Sequence, residues 1–548
     1  MFHFVFHPDV KARHRETIIY LMTKHTIVLL SLAYLYALNL LTTGAWERAW
    51  MVIWPGLVLL ILLMLLAPLH RWLVKPVLAV LIASASVALF FKGQYGITLT
   101  EDIMLSGLIN DTGLTAEMVS LRLLGWVLLT GLLPAAVVIR LPVRPQRLLN
   151  QGLYSLLFIA LSAAAIAGIF QIEGYQLRSK GQIRDPRLAQ SIAYFSPVDV
   201  LYTYSQARKA LKKLKKNYAS VEKMSQLHHY RSTLDDLLVI VVLGESTRGD
   251  HFALNGYPYP TNPALEQHSA DLFSFRHVRA CDTLTIPSLR CLASPMQSHQ
   301  PNRNVTHSPF SEVMQSQGFS TDIYSLQNLS DFYQYLGYDK LVSKYAVLHA
   351  SDTGSRDVSL LPFARKAIAN YRSGRKLLIL HTLGSHQTYN DRLLDRHRVF
   401  QPSCTKADVR SCDRASLIHA YDNTLLAVDE FLASLIEELA DKRALLVYVS
   451  DHGESLGENG IYFHGAPLKN APREQLTAAL MFWFSPAFGQ SPPGQRIINA
   501  LKAHSLDEPV SHDHVFHSIL GCSGFESDDG GIDPALNLCQ QPNATAIH

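Results

Sequence analysis

The sequence predicts a membrane-anchored protein with two parts, an N-terminal domain of five transmembrane helices and a C-terminal α/β domain. Hydrophobic residues make up 48% of the 548-residue chain, but the long apolar segments all lie before about residue 171. Beyond that point, short β-branched runs alternate with amphipathic helical patterns, which is typical of a parallel sheet covered by helices. We therefore divide the chain into a transmembrane domain (1–171), a linker (172–235) and an α/β domain (236–548).

Five apolar segments are each close to the length of about 20 residues that crosses a hydrocarbon core. A soluble protein is not expected to bury five such helices in succession. The first segment is too long for a signal peptide and has no small-residue cleavage pattern after it, so we expect it to be retained. The segments are residues 26–45, 49–69, 73–91, 118–139 and 148–170.

Basic residues are concentrated on alternate connections between these segments. The two remaining connections carry only Arg48 and Lys92. Because positive loops stay in the cytoplasm, the N-terminus is predicted to be cytoplasmic, and five spans then place everything after residue 171 outside the cytoplasm. The basic connections contain Lys11, Arg13, Arg15, Lys24, Arg71, Lys75, Arg140, Arg144 and Arg147.

Cysteine usage is consistent with an exported domain, because all six cysteines lie after residue 280. An even number in an oxidising compartment predicts disulfides, although six cysteines allow fifteen pairings. A structural zinc site is the alternative, but the spacings do not form a CxxC set. We favour pairing the sequence neighbours, which are Cys281 with Cys291, Cys404 with Cys412, and Cys522 with Cys539.

The linker contains a strongly basic stretch, ARKALKKLKKNY, at residues 207–218. Leu211 and Leu214 recur at helical spacing among five lysines. Such a helix is predicted to lie at a membrane surface and attract anionic headgroups. A solvated surface helix is the alternative interpretation.

The second part contains five strand-like runs separated by helical patterns. The clearest helix is predicted at 415–438, where apolar residues recur every three or four positions. This alternation predicts one α/β domain with a parallel sheet and helices on both faces. The strand-like runs are 237–243, 319–325, 377–382, 444–450 and 478–484.

Two of these strands end in acidic and imidazole side chains. Glu245 follows the first run, and Asp451 and His452 follow the fourth. Ligands of open α/β folds bind at the carboxyl edge of the sheet, so we expect these side chains to meet there. Carboxylate oxygens and imidazole suit zinc. A helix cap or a turn former is the alternative for either acid taken alone.

The segment CDTLTIPSLRC at 281–291 forms a small ring if its two cysteines pair. The ring contains Thr283 and Thr285, and a threonine hydroxyl becomes a nucleophile only when a base or a metal ion activates it. Zinc held by the acidic and imidazole set is one such activator. The alternative interpretation is that both threonines are ordinary loop residues.

Two further histidines follow predicted strand ends. His386 closes the segment HTLGSH, and His464 lies shortly after the Asp451 motif. They are candidates to bind phosphate oxygens or a second metal, or to protonate a leaving group. Since the chain has 24 histidines, packed or exposed structural histidines are the alternative.

Taken together, the motifs GESTRGDH (244–251), CDTLTIPSLRC, HTLGSH, AYDNT (420–424), DHGES (451–455) and HG (464–465) resemble the phosphoethanolamine transferases that modify lipopolysaccharide in the bacterial inner membrane. The resemblance implies an alkaline-phosphatase/sulfatase-like catalytic domain. It implies Thr285 as the phosphoethanolamine-accepting nucleophile and a zinc ion on Glu245, Thr285, Asp451 and His452. It also implies that His386 and His464 contact the transferred phosphoryl group or a second zinc.

Within this family, the cysteine ring and the tail GCSGFESDDGGID (521–533) are most similar to the subgroup that modifies a Kdo sugar of the inner core. A lysine-containing segment of the lipid A-modifying members is absent, and YSLQNLS (324–330) stands in its place. The departure favours Kdo as acceptor. A lipid A phosphate remains the alternative acceptor, and a metal-dependent phosphodiesterase or sulfatase, or a degenerate membrane assembly protein, remains an alternative class.

The family implies phosphatidylethanolamine as the donor and lipopolysaccharide as the acceptor, with no nucleic-acid partner, and we expect a monomer. The periplasmic loop between the third and fourth spans carries Asn110, Asp111 and Glu117. Their oxygens are predicted to face the ethanolamine ammonium of the donor. A capped helix start at Asn110 to Thr112 is the alternative.

Overall fold

The structure is a computed structural model that describes residues 23–43, 53–67, 73–97, 99–109, 119–144, 146–179, 195–299 and 305–541. The chain forms two compact units. The first comprises Met1–Thr100 and Ser120–Gln206, and the second comprises Glu101–Val119 and Ala207–His548. The division falls after residue 206, so the second half of the predicted linker belongs to the second unit.

Four helices of the first unit are long and apolar enough to cross a membrane, judged by length and composition. The segment predicted at 49–69 contains a shorter helix, Ile53–Leu66, whose 14 residues span about 21 Å. That length is below the roughly 30 Å of a hydrocarbon core, so the described residues do not establish a fifth span. The four long helices are Lys24–Thr43, Val74–Tyr95, Leu121–Arg140 (through a π-helical turn at Leu128–Leu132) and Leu148–Gln171, the last of which continues to Ser179.

Several buried polar groups of the first unit are paired. The Lys92 ammonium contacts the Asp199 carboxylate, and both side chains are buried. The Asn39 amide donates to the Ser196 carbonyl at 2.9 Å and accepts from its N–H at 2.9 Å. Since an unpaired buried polar group costs free energy, these contacts fix the 195–199 segment within the unit.

The second unit contains many short elements around one large sheet. Its described helices of four or more residues are Glu101–Ile109, Met224–Leu227, Leu265–Asp271, Thr285–Ala293, Phe310–Ser316, Ser330–Leu336, Lys344–His349, Asp357–Leu360, Leu361–Asn370, Tyr389–Arg392, Arg414–Leu439, Arg473–Leu476, Pro486–Gly489, Pro492–Ala503 and Asp513–Cys522, and Val198–Ala219 enters it from the first unit. Its described strands are β1 (Arg231–Ser232), β2 (Leu237–Gly244), β3 (Leu272–Ser274), β4 (His277–Arg279), β5 (Ser320–Ser325), β6 (Lys340–Val342), β7 (Arg375–His381), β8 (Ala444–Ser450), β9 (Ser455–Leu456), β10 (Tyr462–Phe463), β11 (Thr477–Ala478), β12 (Leu480–Phe484), β13 (Pro509–Ser511) and β14 (Phe525–Glu526).

Seven of these strands form the central sheet, in the order β3-β12-β8-β2-β7-β5-β6. The run from β8 to β6 is parallel, as predicted. The prediction of a wholly parallel sheet is wrong at the other edge, where β12 is antiparallel to β8 and β3 is antiparallel to β12. Periodicity identifies a buried strand at 478–484 but carries no information on its direction.

The register of the sheet places the predicted site residues side by side. Gly244 at the end of β2 pairs with Ser450 at the end of β8, and Leu243 pairs with His381 at the end of β7. The residues of β2 and β8 are buried along their whole length, which explains their unbroken apolar sequence. The chain therefore leaves both strands at one edge, directly before Glu245 and Asp451.

The six cysteines form the three predicted disulfides, Cys281–Cys291, Cys404–Cys412 and Cys522–Cys539. All three lie in the second unit.

The basic stretch at 207–218 is helical, as predicted, within Val198–Ala219. Leu214 packs into the core of the second unit, while Lys212, Lys213, Lys215 and Lys216 are exposed. The most buried leucine of this helix therefore packs on protein, and its basic side faces outwards.

Candidate active site

The four residues predicted to hold zinc come together at the carboxyl edge of the sheet. Glu245 follows β2, Asp451 and His452 follow β8, and Thr285 opens the helix Thr285–Ala293. Glu245, Asp451 and His452 are almost completely buried and lie close enough to share one metal ion.

Short distances join these side chains. The Thr285 hydroxyl donates to Glu245 Oε2 at 3.1 Å and lies 3.4 Å from His452 Nε2. His452 Nε2 lies 3.4 Å from Glu245 Oε1 and 3.3 Å from Asp451 Oδ2. Oxygen and nitrogen donors from three chain segments thus converge on one point.

The chemistry of this donor set fits a bound cation. His452 Nδ1 lies 2.9 Å from the Gly453 carbonyl, which can only accept, so Nδ1 carries the proton. Nε2 then presents a lone pair towards two carboxylates. Asp451 Oδ2 is also buried without a hydrogen-bond partner among the described residues. Acceptors facing one another in a buried site repel, and a zinc ion removes the repulsion.

Burial and the charge of Glu245 together raise the pKa of Asp451 well above its ordinary value. Burial also opposes ionisation of Glu245, but the neighbouring histidines, His452 first, lower the pKa of Glu245 below its ordinary value. Glu245 and Asp451 lie in one buried site. Because fewer neighbours stabilise the charge of Asp451, Asp451 is the carboxylate that binds a proton when no cation is present.

His386 and His464 lie beside this set, with ring centres 5.7 Å apart. The His464 ring centre is 4.3 Å from that of His452, and the pair His386 and His464 forms a second potential metal-binding group with Glu245. Burial lowers the pKa of the His386 imidazole to about 4, so it is neutral at pH 7.

His464 is oriented by a buried carboxylate that the sequence reasoning did not single out. Glu454 Oε2 lies 2.8 Å from His464 Nδ1, and its other oxygen accepts a hydrogen bond from the Tyr389 hydroxyl at 2.9 Å. Glu454 is the glutamate of the DHGES motif, and its place in that motif was the signal in the sequence that could have identified it. The contact leaves His464 Nε2 as the nitrogen that can face a substrate.

The structure distinguishes the two threonines of the cysteine ring. The Thr283 hydroxyl donates to the Ala466 carbonyl at 2.7 Å, so it is committed to a backbone contact. Thr285 instead points its hydroxyl at Glu245 and His452. His512 supports the ring, because its Nδ1 accepts the Cys281 N–H at 3.2 Å and its Nε2 donates to the Ser450 carbonyl at 3.0 Å.

The AYDNT motif lies on the helix Arg414–Leu439 and fixes the loops around the site. The Tyr421 hydroxyl donates to the Ser246 carbonyl at 2.7 Å, and the Thr424 hydroxyl donates to Ser385 at 2.7 Å. Gly384 has φ +45°, and a Cβ there would lie 2.5 Å from the Glu245 carbonyl oxygen. The HTLGSH loop can pass this close to Glu245 only with glycine at that position.

Gln327 is a site residue that the sequence reasoning missed. Its amide donates to Glu245 Oε2 at 2.8 Å and to the Thr382 carbonyl at 3.1 Å, and the side chain is buried. Gln327 belongs to the YSLQNLS segment that stands where lipid A-modifying members carry a lysine. A polar residue two positions after β5 was the only local signal.

We predict that Gln327→Leu weakens zinc binding by about 10- to 100-fold, the range found when a partner of a metal ligand is lost. The Glu245 carboxylate would lose the donor that fixes its orientation. Zinc content of the purified full-length protein, measured after dialysis against graded chelator, checks this. Asn328→Leu, at an exposed neighbour, is the control. Equal zinc retention in both variants would show that Gln327 does not support the site.

The three residues predicted to contact the donor headgroup, Asn110, Asp111 and Glu117, lie outside the described residues. The helix before them, Glu101–Ile109, belongs to the second unit and packs against the helix that starts at Thr285. Ile103 lies beside Gly465, next to His464.

Comparison with known proteins identifies the family to which the chain belongs. The sulfatase family model matches residues 238–525, just over half of the chain, and the chain belongs to this family. A second family model, for the phosphoethanolamine transferases EptA and EptB, matches residues 57–184. The resemblance to phosphoethanolamine transferases drawn from the motifs is confirmed.

Individual relatives are named as phosphoethanolamine transferases. The chain is 33% identical over 319 residues to the Kdo(2)-lipid A phosphoethanolamine 7''-transferase of Escherichia coli (strain K12), a match that covers 57% of this chain and 56% of that relative, little more than half of each. It is 28% identical to phosphoethanolamine transferase EptA of Salmonella typhimurium over 86% of this chain and 87% of that protein. The integral membrane EptA of Neisseria meningitidis shares the fold, with a TM-score of 0.78, 23% identity and coverage of 94% and 98%.

Proposed function

We propose that this protein transfers phosphoethanolamine from phosphatidylethanolamine to a Kdo sugar of lipopolysaccharide, through a covalent intermediate on Thr285. The observation that carries the proposal is the Thr285 hydroxyl, which lies 3.1 Å from Glu245 Oε2 and 3.4 Å from His452 Nε2 at a buried carboxylate and imidazole set. A hydroxyl held between a base and a cation site is an activated nucleophile.

In the first half of the reaction, the Thr285 oxygen attacks the phosphorus of the donor lipid. The hydroxyl proton passes to Glu245, which already accepts its hydrogen bond. The bond from phosphorus to the glyceryl oxygen breaks, and diacylglycerol leaves with a proton. His464, oriented by Glu454, is placed to supply that proton.

Zinc is the cofactor that the donor set fits. Glu245, Asp451 and His452 would hold it and leave the fourth position to the Thr285 oxygen, as an open catalytic site requires. When bound, zinc supplies Lewis-acid stabilisation of the threonine oxygen and lowers the pKa of its hydroxyl. A second zinc on Glu245, His386 and His464 remains a proposal.

In the second half, a hydroxyl oxygen of the acceptor sugar attacks the phosphorus of the phosphothreonine, the bond from phosphorus to the Thr285 oxygen breaks, and that oxygen takes back the proton held by Glu245. A sugar hydroxyl must lose a proton as it attacks, so this step needs a general base. The neutral imidazole of His386 or His464 can accept it. The resulting phosphodiester leaves with phosphoethanolamine on the sugar.

Several features support a membrane setting. Four helices have the length and apolarity of membrane spans, and the distribution of basic loops predicts a cytoplasmic N-terminus. The segment that contains the Ile53–Leu66 helix is proposed as the fifth span. The catalytic unit then faces the periplasm from the bacterial inner membrane. There the exposed lysines of Val198–Ala219 would attract anionic headgroups. We further propose that the protein is a monomer with no nucleic-acid partner.

The donor headgroup is proposed to bind partly on Asn110, Asp111 and Glu117. The helix directly before this loop ends at Ile109 and packs against the helix that starts at Thr285, which supports the proposal. An ethanolamine ammonium needs acceptors or anions around it, and two carboxylates provide them.

Replacing Asp111 and Glu117 together by alanine is expected to raise the KM for phosphatidylethanolamine at least about tenfold, the effect of losing roughly one charge-assisted contact. Zinc content should not change. Glu101→Ala removes an acid from the helix before the loop and serves as the control. Unchanged donor kinetics in the double variant would leave only the helix-capping role for this loop.

The acceptor is proposed to be Kdo because the CDTLTIPSLRC ring and the 521–533 tail resemble the Kdo-modifying subgroup. Gln327 occupies the segment where the lipid A-modifying members carry a lysine, and its amide is committed to Glu245 and Thr382. A lipid A phosphate is the second candidate acceptor. A phosphodiesterase or sulfatase would transfer the group to water.

Mild acid separates lipid A from the core and therefore distinguishes these candidates. We expect mass spectrometry of lipopolysaccharide from cells that express the protein to find phosphoethanolamine on the Kdo fragment. A cell line expressing Thr285→Ala supplies the background. Phosphoethanolamine found on lipid A alone would show that lipid A, and not Kdo, is the acceptor. Free phosphoethanolamine without modified lipopolysaccharide would indicate a hydrolase.

A further inference from the structure

A second polar cavity lies in the catalytic unit, with a volume of about 390 Å³. Five basic residues line it, and Asp322 is the one acidic residue among the described lining residues. The basic residues are Lys340, Lys366, Arg372, Arg375 and Lys376.

Two of the five positive charges are already compensated. Lys376 Nζ lies 3.1 Å from Asp322 Oδ2, and Arg375 pairs with Asp235 at 3.0 Å. Among the described residues, no acidic side chain pairs with the other three. Lys340 lies over the Tyr324 ring at 5.4 Å from its centre, and Lys366 and Arg372 are exposed. Three positive charges therefore surround the cavity without a protein counter-ion.

The cavity is separate from the catalytic site. Ser320, Lys340 and Arg375 begin β5, β6 and β7, so the cavity lies at the amino edge of the parallel strands. The catalytic residues follow the carboxyl ends of the same sheet. From Arg375 to His381 along β7 is about 20 Å, given a rise of about 3.3 Å per residue. One ligand of phosphoethanolamine size cannot occupy both.

The residues that line the cavity also indicate which groups of a ligand would accompany its negative charge. Ser320, Asn370 and Ser373 add hydroxyl and amide groups to the wall. The volume is in the range of about 300 to 1,000 Å³ that holds small organic ligands, which is more room than a bare phosphate ion needs. Cations bind phosphate oxygens, while hydroxyl and amide groups bind sugar hydroxyls.

We propose that this cavity is a second, non-catalytic site for a phosphorylated sugar, with its phosphate held by Lys340, Lys366 and Arg372. The pair of Lys376 and Asp322 also lines the cavity, and the Tyr324 hydroxyl donates to Asp322 Oδ2 at 3.1 Å. Such a ligand is either a free sugar phosphate or one phosphorylated unit of a charged glycolipid, and the recognition chemistry is the same.

Calorimetric titration of the full-length protein in neutral detergent with glucose 6-phosphate tests the site. The titration is run on the wild type and on Asp451→Asn, because that substitution disables the catalytic edge and leaves the cavity intact. We expect both to bind, and the triple variant K340A/K366A/R372A to bind at least tenfold more weakly. The variant K223A/K406A/K502A removes three exposed charges elsewhere and should bind like the wild type.

Two further titrations separate the sources of affinity. Glucose should not bind measurably, and inorganic phosphate should bind more weakly than glucose 6-phosphate. Lipopolysaccharide-doped micelles that compete with glucose 6-phosphate would assign the glycolipid as the source, and absence of competition would assign the free sugar phosphate. The proposal fails if the wild type does not bind glucose 6-phosphate, if the triple variant binds as tightly, if Asp451→Asn abolishes binding, or if phosphate alone binds equally well.

Discussion

Thr285→Ala is expected to abolish phosphoethanolamine transfer, with a loss of at least about 10³-fold, as is typical when a covalent nucleophile is removed. The variant removes the hydroxyl that faces Glu245 and His452 and leaves the rest of the site unchanged. Thr285→Ser keeps an oxygen at the same position and should retain measurable activity. The rate of diacylglycerol release from phosphatidylethanolamine is the measurement.

The matched control is Thr283→Ala, in the same cysteine ring. It removes a hydroxyl that donates to the Ala466 carbonyl, so it should lower the free energy of unfolding by about 1 kcal/mol and leave transfer largely intact. If Thr285→Ala transferred at the wild-type rate, Thr285 would not be the nucleophile. If Thr283→Ala alone lost transfer, the nucleophile would be the other threonine.

Asp451→Asn is expected to reduce zinc binding at least about 100-fold and to reduce transfer with it. The amide is the same size as the carboxylate but removes the charge at Oδ2, the buried atom without a hydrogen-bond partner. A loss larger than that for a supporting residue is expected because Asp451 is proposed to be a direct ligand of the metal ion. Zinc analysis of the purified full-length protein, before and after chelation, gives the result.

Asp322→Asn, at a buried carboxylate in the middle of β5, is the control for charge loss and should retain zinc. Zinc restored to the chelated wild type should recover activity, and zinc added to Asp451→Asn should recover little. A wild-type protein that contains no zinc and loses no activity on chelation would rule out the metal centre.

Much of the fold follows from periodicity. The predicted helix at 415–438 is Arg414–Leu439, and the run at 444–450 is β8 without any shift, because both are long and strongly patterned. The three-residue strands β3 and β6 carry too little pattern to be recognised. The grouping of Glu101–Val119 with the second unit also had no signal in the sequence, because this segment lies between two apolar segments.

The candidate site was predictable where residues follow long strands. Glu245, Asp451 and His452 are one residue or two beyond buried strands whose register is fixed, so their meeting follows from the topology. Gln327 and Glu454 act through other side chains, and no spacing rule connects a supporting residue to the group it holds. The choice between Thr283 and Thr285 came from resemblance in the sequence and has a geometric basis only in the folded ring.

Trapping the covalent intermediate tests the central claim most directly. Full-length protein is incubated with phosphatidylethanolamine in the absence of lipopolysaccharide, quenched in acid and digested, and its peptides are analysed by mass spectrometry. The account predicts a mass increase of one phosphoethanolamine group on the peptide that contains Thr285, and its disappearance when lipopolysaccharide is added. Release of diacylglycerol with no modified Thr285 peptide, or with the group on another residue, would contradict it.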